Sequence, residues 1–235
     1  MLELPKNKRI LVVAAHPDDE VLGGGASFHR LVKEYDCDIK AIILGEGLTS
    51  RSKSRERDKW SKDLDVHKEN VFKAREIIGF SEVKLFDLPD NRFDQVDLLD
   101  IIKIIEAEKS IFKPHIIFTH HGGDLNIDHQ RTFDAVMTST RPVEGESVKT
   151  ILSFRIPSST EWQAFNKMPF LPNCFIAVEE ENMSAKIQAM ECYDFEKRKY
   201  PHPRSSESLM ALAKHTGTII NHPFAESFIL IRSIY

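Results

Sequence analysis

The sequence predicts a three-layer α/β/α sandwich, a mostly parallel sheet with helices on both faces. Three observations predict it. Short runs rich in Ile and Val recur at Arg9–Ala15, Asp38–Leu44, Val83–Phe86 and His115–His120, each of a length suited to a buried strand. The gaps between them carry apolar residues at helical spacing, and strand then helix, three times over, is the pattern of parallel strands joined by helical crossovers. The 235 residues, 41% hydrophobic and 29% charged, suffice for one core of ordinary composition, so residues 1–235 read as a single domain.

Each element has its own reason. From Glu20 to Tyr35, Val21, Leu22, Phe28, Leu31 and Val32 share one broad face, and Gly23-Gly24-Gly25 lets this helix approach the sheet closely. It is no dinucleotide fingerprint, because GxGxxG does not occur at this turn. From Leu64 to Ile78 the apolar stripe is Val66, Val71, Ala74 and Ile77–Ile78, with Gly79 placed as a stop. From Val96 to Phe112, Leu98, Leu99, Ile101, Ile102, Ile104 and Ile105 are more apolar than a surface helix needs, which predicts a well-buried one. Past Thr140, four prolines (Pro142, Pro157, Pro169, Pro172) break the chain into short pieces. Strands are expected there at Thr150–Phe154 and Asn173–Val178, helices at Asn182–Phe195 and Ser205–Lys214, and a last strand at Ala225–Ile231. Two long connections, Glu46–Asp63 and Arg155–Leu171, read as functional rims, because structureless loops of that length are uncommon in compact domains.

Composition excludes several classes. A net charge of −4 gives no basic face for nucleic acid. No apolar run approaches the ~20 residues that cross a bilayer, and polar Met1 to Arg9 leads straight into a strand, unlike a secretory leader. Cys37, Cys174 and Cys192 are far apart and odd in number, which indicates neither a zinc knuckle nor a disulfide framework but free thiols in a reducing compartment, hence a cytoplasmic protein. A homo-oligomer is compatible with this composition and is not specified by it.

Chemistry concentrates at two places. Ala15-His16-Pro17-Asp18-Asp19-Glu20 directly follows the first strand run, and Asp124-Leu125-Asn126-Ile127-Asp128-His129 follows the fourth. Open α/β sheets place their sites at such strand ends. Pro17 fixes its own φ and biases His16 away from helical geometry, so the chain stays extended at His16 and begins to coil near Asp19. An imidazole and a carboxylate can then aim at one point, with His129 as a third ligand of a divalent zinc ion (Zn2+). Three protein ligands plus water mark a catalytic site, whereas structural sites are closed by four. Asp18 is placed to move a proton to and from the reacting groups, Asp128 to orient a ligand or substrate-facing side chain as an acceptor, and Glu20 to serve structure in the first helical turn. Taken alone, Asp18 or Asp19 is equally an N-cap and His16 a satisfied loop histidine. Their joint occurrence with the second cluster is what favours a metal.

These motifs resemble the PIG-L/LmbE family of metal-dependent N-acetyl-sugar deacetylases, whose hallmark is an AHPDDE-type first motif and a later DH motif. The match at Ala15–Glu20 is complete, Pro114 to His129 is similar down to Asp124, and Phe224-Ala225-Glu226-Ser227-Phe228 resembles the family's closing stretch. The resemblance implies a Rossmann-like fold, metal binding by His16, Asp19 and His129, Asp18 as general base, and hydrolysis of an acetamide on an amino sugar that is free, nucleotide-linked or part of a glycoconjugate. Many members carry His where this chain has Asn126, whose amide can donate to an oxyanion but supplies no charge. Asp90 and Arg92 follow the third strand, where the family resemblance implies a sugar-contacting acid. Arg51 is expected to meet a phosphate or further hydroxyls, and His67 stands where relatives often carry arginine. The rival readings are a metal-dependent amidase of a non-sugar acyl compound and a non-catalytic sugar- or nucleotide-binding relative. His120, His121, His202, His215 and His222 are not expected to be ligands.

Overall fold

The computed structural model describes residues 5–235; Met1–Leu4, and with them part of the expectation for the N-terminus, lie outside the described residues. Seven strands form one sheet in the order β3-β2-β1-β4-β5-β7-β6. In chain order these are β1 (Arg9–Ala14), β2 (Asp38–Gly45), β3 (Glu82–Leu88), β4 (Ile116–His120), β5 (Thr150–Phe154), β6 (Cys174–Val178) and β7 (Phe224–Ser233). The first five pair in parallel, and β7 runs antiparallel to both β5 and β6. The mostly parallel sheet expected from the sequence is present.

The helices are α1 (Asp19–Leu22), α2 (Gly25–Tyr35), α3 (Arg57–Ile78), α4 (Leu98–Phe112), α5 (Ile127–Ser139), α6 (Glu180–Glu191) and α7 (Ser206–Ile219). Alternation along β1 divides them into two layers, since successive side chains of a strand point to opposite faces. Ile10, Val12 and Ala14 pack with residues of α2, α3, α6 and α7, while Leu11 and Val13 pack with Ile101, Ile102 and Ile105 of α4 and Ala135 and Val136 of α5. On the first face Phe118 meets Phe28 and Phe228 edge-on, at 5.1 Å between ring centroids in both pairs, a favoured aromatic geometry.

Four expectations are corrected. The helix drawn from Glu20 to Tyr35 is two helices, because Gly24 leaves helical geometry between them; Gly23 is required for packing, since a Cβ there would lie 2.6 Å from the Phe154 ring. The connection Glu46–Asp63 is shorter than expected, because α3 begins at Arg57 with a polar turn that has no apolar stripe to reveal it. The α4 helix buries only one face: Leu99 is 60% and Ile111 75% exposed. Finally, α5 was not anticipated by periodicity; its buried face includes Asp128, His129 and Thr132, polar residues that interrupt the helical pattern.

The strand order reverses at β1 and β4: β1 leads to β2 on one side, and β4 lies on its other side. Such a switch point leaves a crevice at the carboxyl ends of the two strands. Both sequence clusters end there. Among the described residues, no helix is long and apolar enough to cross a membrane, and all three cysteines are free thiols.

Candidate active site

Beyond Ala14 the chain bends at Ala15 and His16 and turns at Pro17 and Asp18, where the sequence predicts an extended His16. Ala15 N donates to His120 Nε2 at 2.8 Å, and Gly45 N donates to Ala15 O at 2.7 Å, so the turn is anchored to both neighbouring strands. His16 N donates to Asp19 Oδ2 at 2.8 Å, which closes the turn around Pro17 and draws the Asp19 carboxylate beneath the His16 ring. Asp18 occupies the N-cap position of α1 at φ 108° but makes no capping bond with its side chain. A left-handed non-glycine backbone of this kind is costly. Its side chain reaches outward, where Oδ2 accepts from Arg204 Nη1 at 2.7 Å.

Asp19 Oδ2 lies 3.3 Å from His16 Nδ1 and 3.3 Å from His129 Nε2. One donor atom from each of these three residues falls within 4.8 Å of the others. Ligands bound tetrahedrally at zinc distances are about 3.3 Å apart, so the spacing matches a shared ion. The far nitrogen of each imidazole meets a second carboxylate: His16 Nε2 is 2.8 Å from Asp128 Oδ2, and His129 Nδ1 is 3.0 Å from Asp124 Oδ1. Such partners fix the tautomer and aim of a metal-binding histidine. The alternative triad His16, Asp90 and Asp128 is less suited to a cation, because Asp128 already accepts from Asn91 N at 2.7 Å and Phe93 N at 2.9 Å.

Burial alone would raise the Asp19 carboxyl, yet the His129 and His120 imidazoles beside it hold it well below the ordinary carboxylate range. Burial also opposes the charge on His129, but Asp19 and Asp124 raise it to about 9. Asp18 moves the other way. Burial pushes its carboxyl well above its usual value against the pull of Arg204. Glu20, whose carboxylate accepts from Tyr193 Oη and from Asp18 N at 3.0 Å, is raised to about 7, chiefly by burial. It supports the turn from behind, as its place in the first helical turn suggested.

A cavity of about 210 Å3 opens over this cluster, with His16, Asp18, Asp90, Asn126 and His129 in its wall. Asp90 Oδ2 accepts from Ser50 N at 3.0 Å, and Asp90 is 5% exposed, placed at the cavity as expected. Arg51 also reaches the cavity, but its guanidinium is paired with Glu196. One expectation is corrected here. Arg92 is not in the cavity wall: its guanidinium points to Lys53 O at 3.5 Å on the exposed side. Asn126 lines the cavity: its Oδ1 caps α5 by accepting from Asp128 N at 2.8 Å, and Nδ2 donates one of its two N–H groups to Asn91 Oδ1 at 2.8 Å. Asp128 is fully buried and meets the cavity through the His16 ring, at 2.8 Å from its Nε2, in the place expected of an orienting acceptor. His120 uses Nε2 to accept from Ala15 N and stacks on His129 at 4.0 Å, a support for the site.

Several contributors were given no role from the sequence. Asp124 accepts from Asn126 N at 2.9 Å, from Thr160 Oγ1 at 2.5 Å and from Ser159 Oγ. It thereby ties the Arg155–Leu171 segment to His129, and hydrogen bonds and charge from His129 keep its carboxyl well below the usual range despite burial. Ser158, Ser159, Glu196 and Arg204 complete the wall. A motif rich in proline around Arg204 was the available signal, but nothing local in it names Asp18 as the partner.

The profile of the PIG-L family, GlcNAc-PI de-N-acetylase, matches residues 11–140, more than half of the chain. The uncharacterized deacetylase YaiS of Escherichia coli (strain K12) is 28% identical over 193 residues, covering 79% of this chain and 90% of YaiS. Among solved structures, N,N'-diacetylchitobiose deacetylase from Pyrococcus horikoshii shares the fold with a TM-score of 0.73 at 15% identity, covering 96% of this chain and 84% of its own. The 4-carboxy-2-hydroxymuconate hydratase GalB from Pseudomonas putida KT2440 does so with a TM-score of 0.73 at 19% identity, covering 97% and 98%. The same scaffold thus carries more than one chemistry, and at these identities the two structures speak to the fold alone. The AHPDDE turn, the DH helix start and the match across the parallel half of the sheet together place this chain in the PIG-L family of de-N-acetylases.

Proposed function

We propose that this protein is a metal-dependent hydrolase that removes the N-acetyl group from an amino sugar, releasing acetate and the free amine. The observation that carries the reading is the position of Asp19 Oδ2, 3.3 Å from both His16 Nδ1 and His129 Nε2, each ring backed by a further carboxylate. His16, Asp19 and His129 hold the ion in this reading, and zinc suits a donor set of two imidazoles and one carboxylate. When bound, such an ion supplies a water acidic enough to ionise near neutrality and a Lewis acid for the amide carbonyl.

The chain's own residues do the rest. Asp18, raised by burial, accepts the proton of the attacking water and returns it to the departing nitrogen, which is too basic to leave as an anion. Arg204 holds the Asp18 carboxylate in place throughout. Asp90 at the wall accepts from sugar hydroxyls, a role supported by its carboxylate facing the cavity beside His16. The sugar assignment draws on the chitobiose deacetylase that shares this fold. The unit is taken as one domain over residues 1–235, a reading supported by the C-terminal residues Glu196 and Arg204 in the cavity wall. Its three free thiols suit the cytoplasm.

Acetate release from a panel of N-acetyl sugars and non-sugar acetamides, run with metal analysis, tests the reading. Turnover of sugars with about one zinc per chain is expected. Turnover of non-sugar amides alone would favour the amidase, and binding of sugars without any acetate release would favour a non-catalytic relative.

A further inference from the structure

The charge of the substrate can be read from the cavity wall, given the deacetylase reading above. Two guanidiniums line the cavity, and each is already paired with a carboxylate. Arg51 pairs with Glu196 and donates to Phe195 O at 3.2 Å. Arg204 is shared among Asp18 at 2.7 Å, Ser158 Oγ at 2.8 Å and Glu196 at 3.1 Å. An anionic group entering here meets guanidiniums whose charge is already shared with Glu196 and Asp18, and it must sit beside Asp90 and Glu196, which offsets what it gains.

His67 is the converse case. It is 2% exposed, its Nδ1 is a buried atom with no hydrogen-bond partner, and no hydrogen bond among the described residues uses its Nε2. Buried polar side chains are nearly always paired, so a cavity-lining imidazole with neither nitrogen paired points to a missing ligand, with Nε2 as the atom open to it. The ring stands edge-on to Tyr193 and Phe195, at 5.9 Å from each, which fixes its plane. His67 and Pro17 are common to the reaction cavity and to an adjoining one of about 270 Å3. Gly47, at φ +67°, passes beside Nε2, and a Cβ there would lie 3.2 Å from that nitrogen, so glycine keeps it uncrowded. Burial, aided by the nearby Arg51 charge, lowers the imidazole to about 4. A neutral imidazole offers one donor and one acceptor, which suits a hydroxyl and gives a phosphate no charge to meet.

We infer that the cavity selects an uncharged N-acetyl sugar, with His67 hydrogen-bonding one of its hydroxyls, and rejects phosphorylated and nucleotide-linked sugars. The test is calorimetric titration of the zinc-loaded full chain at pH 7 with N-acetylglucosamine, its 6-phosphate and its uridine diphosphate conjugate. The neutral sugar is expected to bind at least about tenfold more tightly than either anion. His67→Phe keeps a ring against Tyr193 and Phe195 but removes the nitrogens; it should weaken the neutral sugar about five- to tenfold, the loss of one hydrogen bond, and His67→Gln should recover most of this. Glu196→Gln releases Arg51 and Arg204 and should narrow the gap to the 6-phosphate. Equal or tighter binding of an anionic probe, no measurable binding of the neutral sugar, or unchanged affinity in folded His67→Phe each overturns the inference. Acetate release, followed in parallel, separates the two readings: a neutral-over-anionic binding order without turnover of any probe counts against the deacetylase and for the charge selection.

Discussion

Arg204 Nη1 and Asp18 Oδ2 are 2.7 Å apart although 186 residues separate them in sequence. That bond joins the segment before α7, outside the stretch that the family profile covers, to the turn after β1, inside it. If Asp18 carries the proton, Arg204 is its positioning residue. Arg204→Met should lower kcat about 10- to 100-fold with zinc content unchanged, and Arg204→Lys, which keeps the charge but not the fork, should recover part of it. Equal loss of kcat and of zinc in Arg204→Met would mean that the arginine merely holds the fold together.

The two neighbouring acids of the first motif should separate cleanly. Asp19→Ala removes the oxygen that lies between the two imidazoles and should strip the ion. Asp18→Asn should retain it and reduce turnover about 10²–10⁴-fold, the usual range for loss of a general base. Metal analysis of the two purified variants beside acetate release decides it; matching metal loss in both would show the roles misassigned.

The parallel half of the fold was legible because strands buried on both faces read as unbroken apolar runs, as Ile10–Ala14 does. The meeting of His16, Asp19 and His129 was legible because their positions follow from spacing against a strand end and a helix start. What escaped was long-range choice of partner. Nothing near Asp124 announces that it, and not Asp128, backs His129, nor that Asp128 backs His16. Arg92 reads as well as Arg51 for the cavity until β3 and the following turn carry it to the outside. Helix α5 escaped for a functional reason, since the residues it buries are the polar ones that build the site.

Asp124→Asn tests the partner that the sequence did not assign. The variant keeps size but loses the charge facing His129 Nδ1 at 3.0 Å. Loss of such an outer partner typically weakens metal binding 10- to 100-fold, which competition with a zinc chelator would measure. Because Ser159 and Thr160 donate to the same carboxylate, the Arg155–Leu171 segment should also become more sensitive to limited proteolysis.

The closing stretch Phe224–Phe228 owes its acid to packing. Glu226 Oε1 meets Lys186 Nζ at 2.5 Å, Glu226 Oε2 accepts from Ser27 N at 2.7 Å, and Lys186 also donates to Leu22 O at 2.8 Å. Both side chains are under a tenth exposed. Glu226→Ala leaves a buried ammonium without its counter-ion and should cost about 3–5 kcal/mol. The double variant Lys186→Met/Glu226→Leu should cost clearly less than the two single changes summed, as urea unfolding would show.

Acid stability should carry the signature of His67. Its folded value is about 4, below the ordinary ~6.5 of an unfolded chain, so the unfolded state takes up a proton first as pH falls. Stability from this group is full above about pH 6.5 and is lost progressively down to about pH 4, by roughly 3–3.5 kcal/mol at most. His67→Phe removes the linkage. Chemical unfolding of both proteins from pH 7 to 4.5 should give a flatter acid limb for the variant; parallel curves would refute the assignment.

Strand β7 lies between β5 and β6, so the sheet's last-made strand is an interior one. During synthesis β6 has no neighbour to bond until Phe224–Ser233 has emerged. A ribosome stalled before Phe224 would therefore display the first motif and the DH helix already translated, while the sheet still lacks the strand that joins β5 to β6.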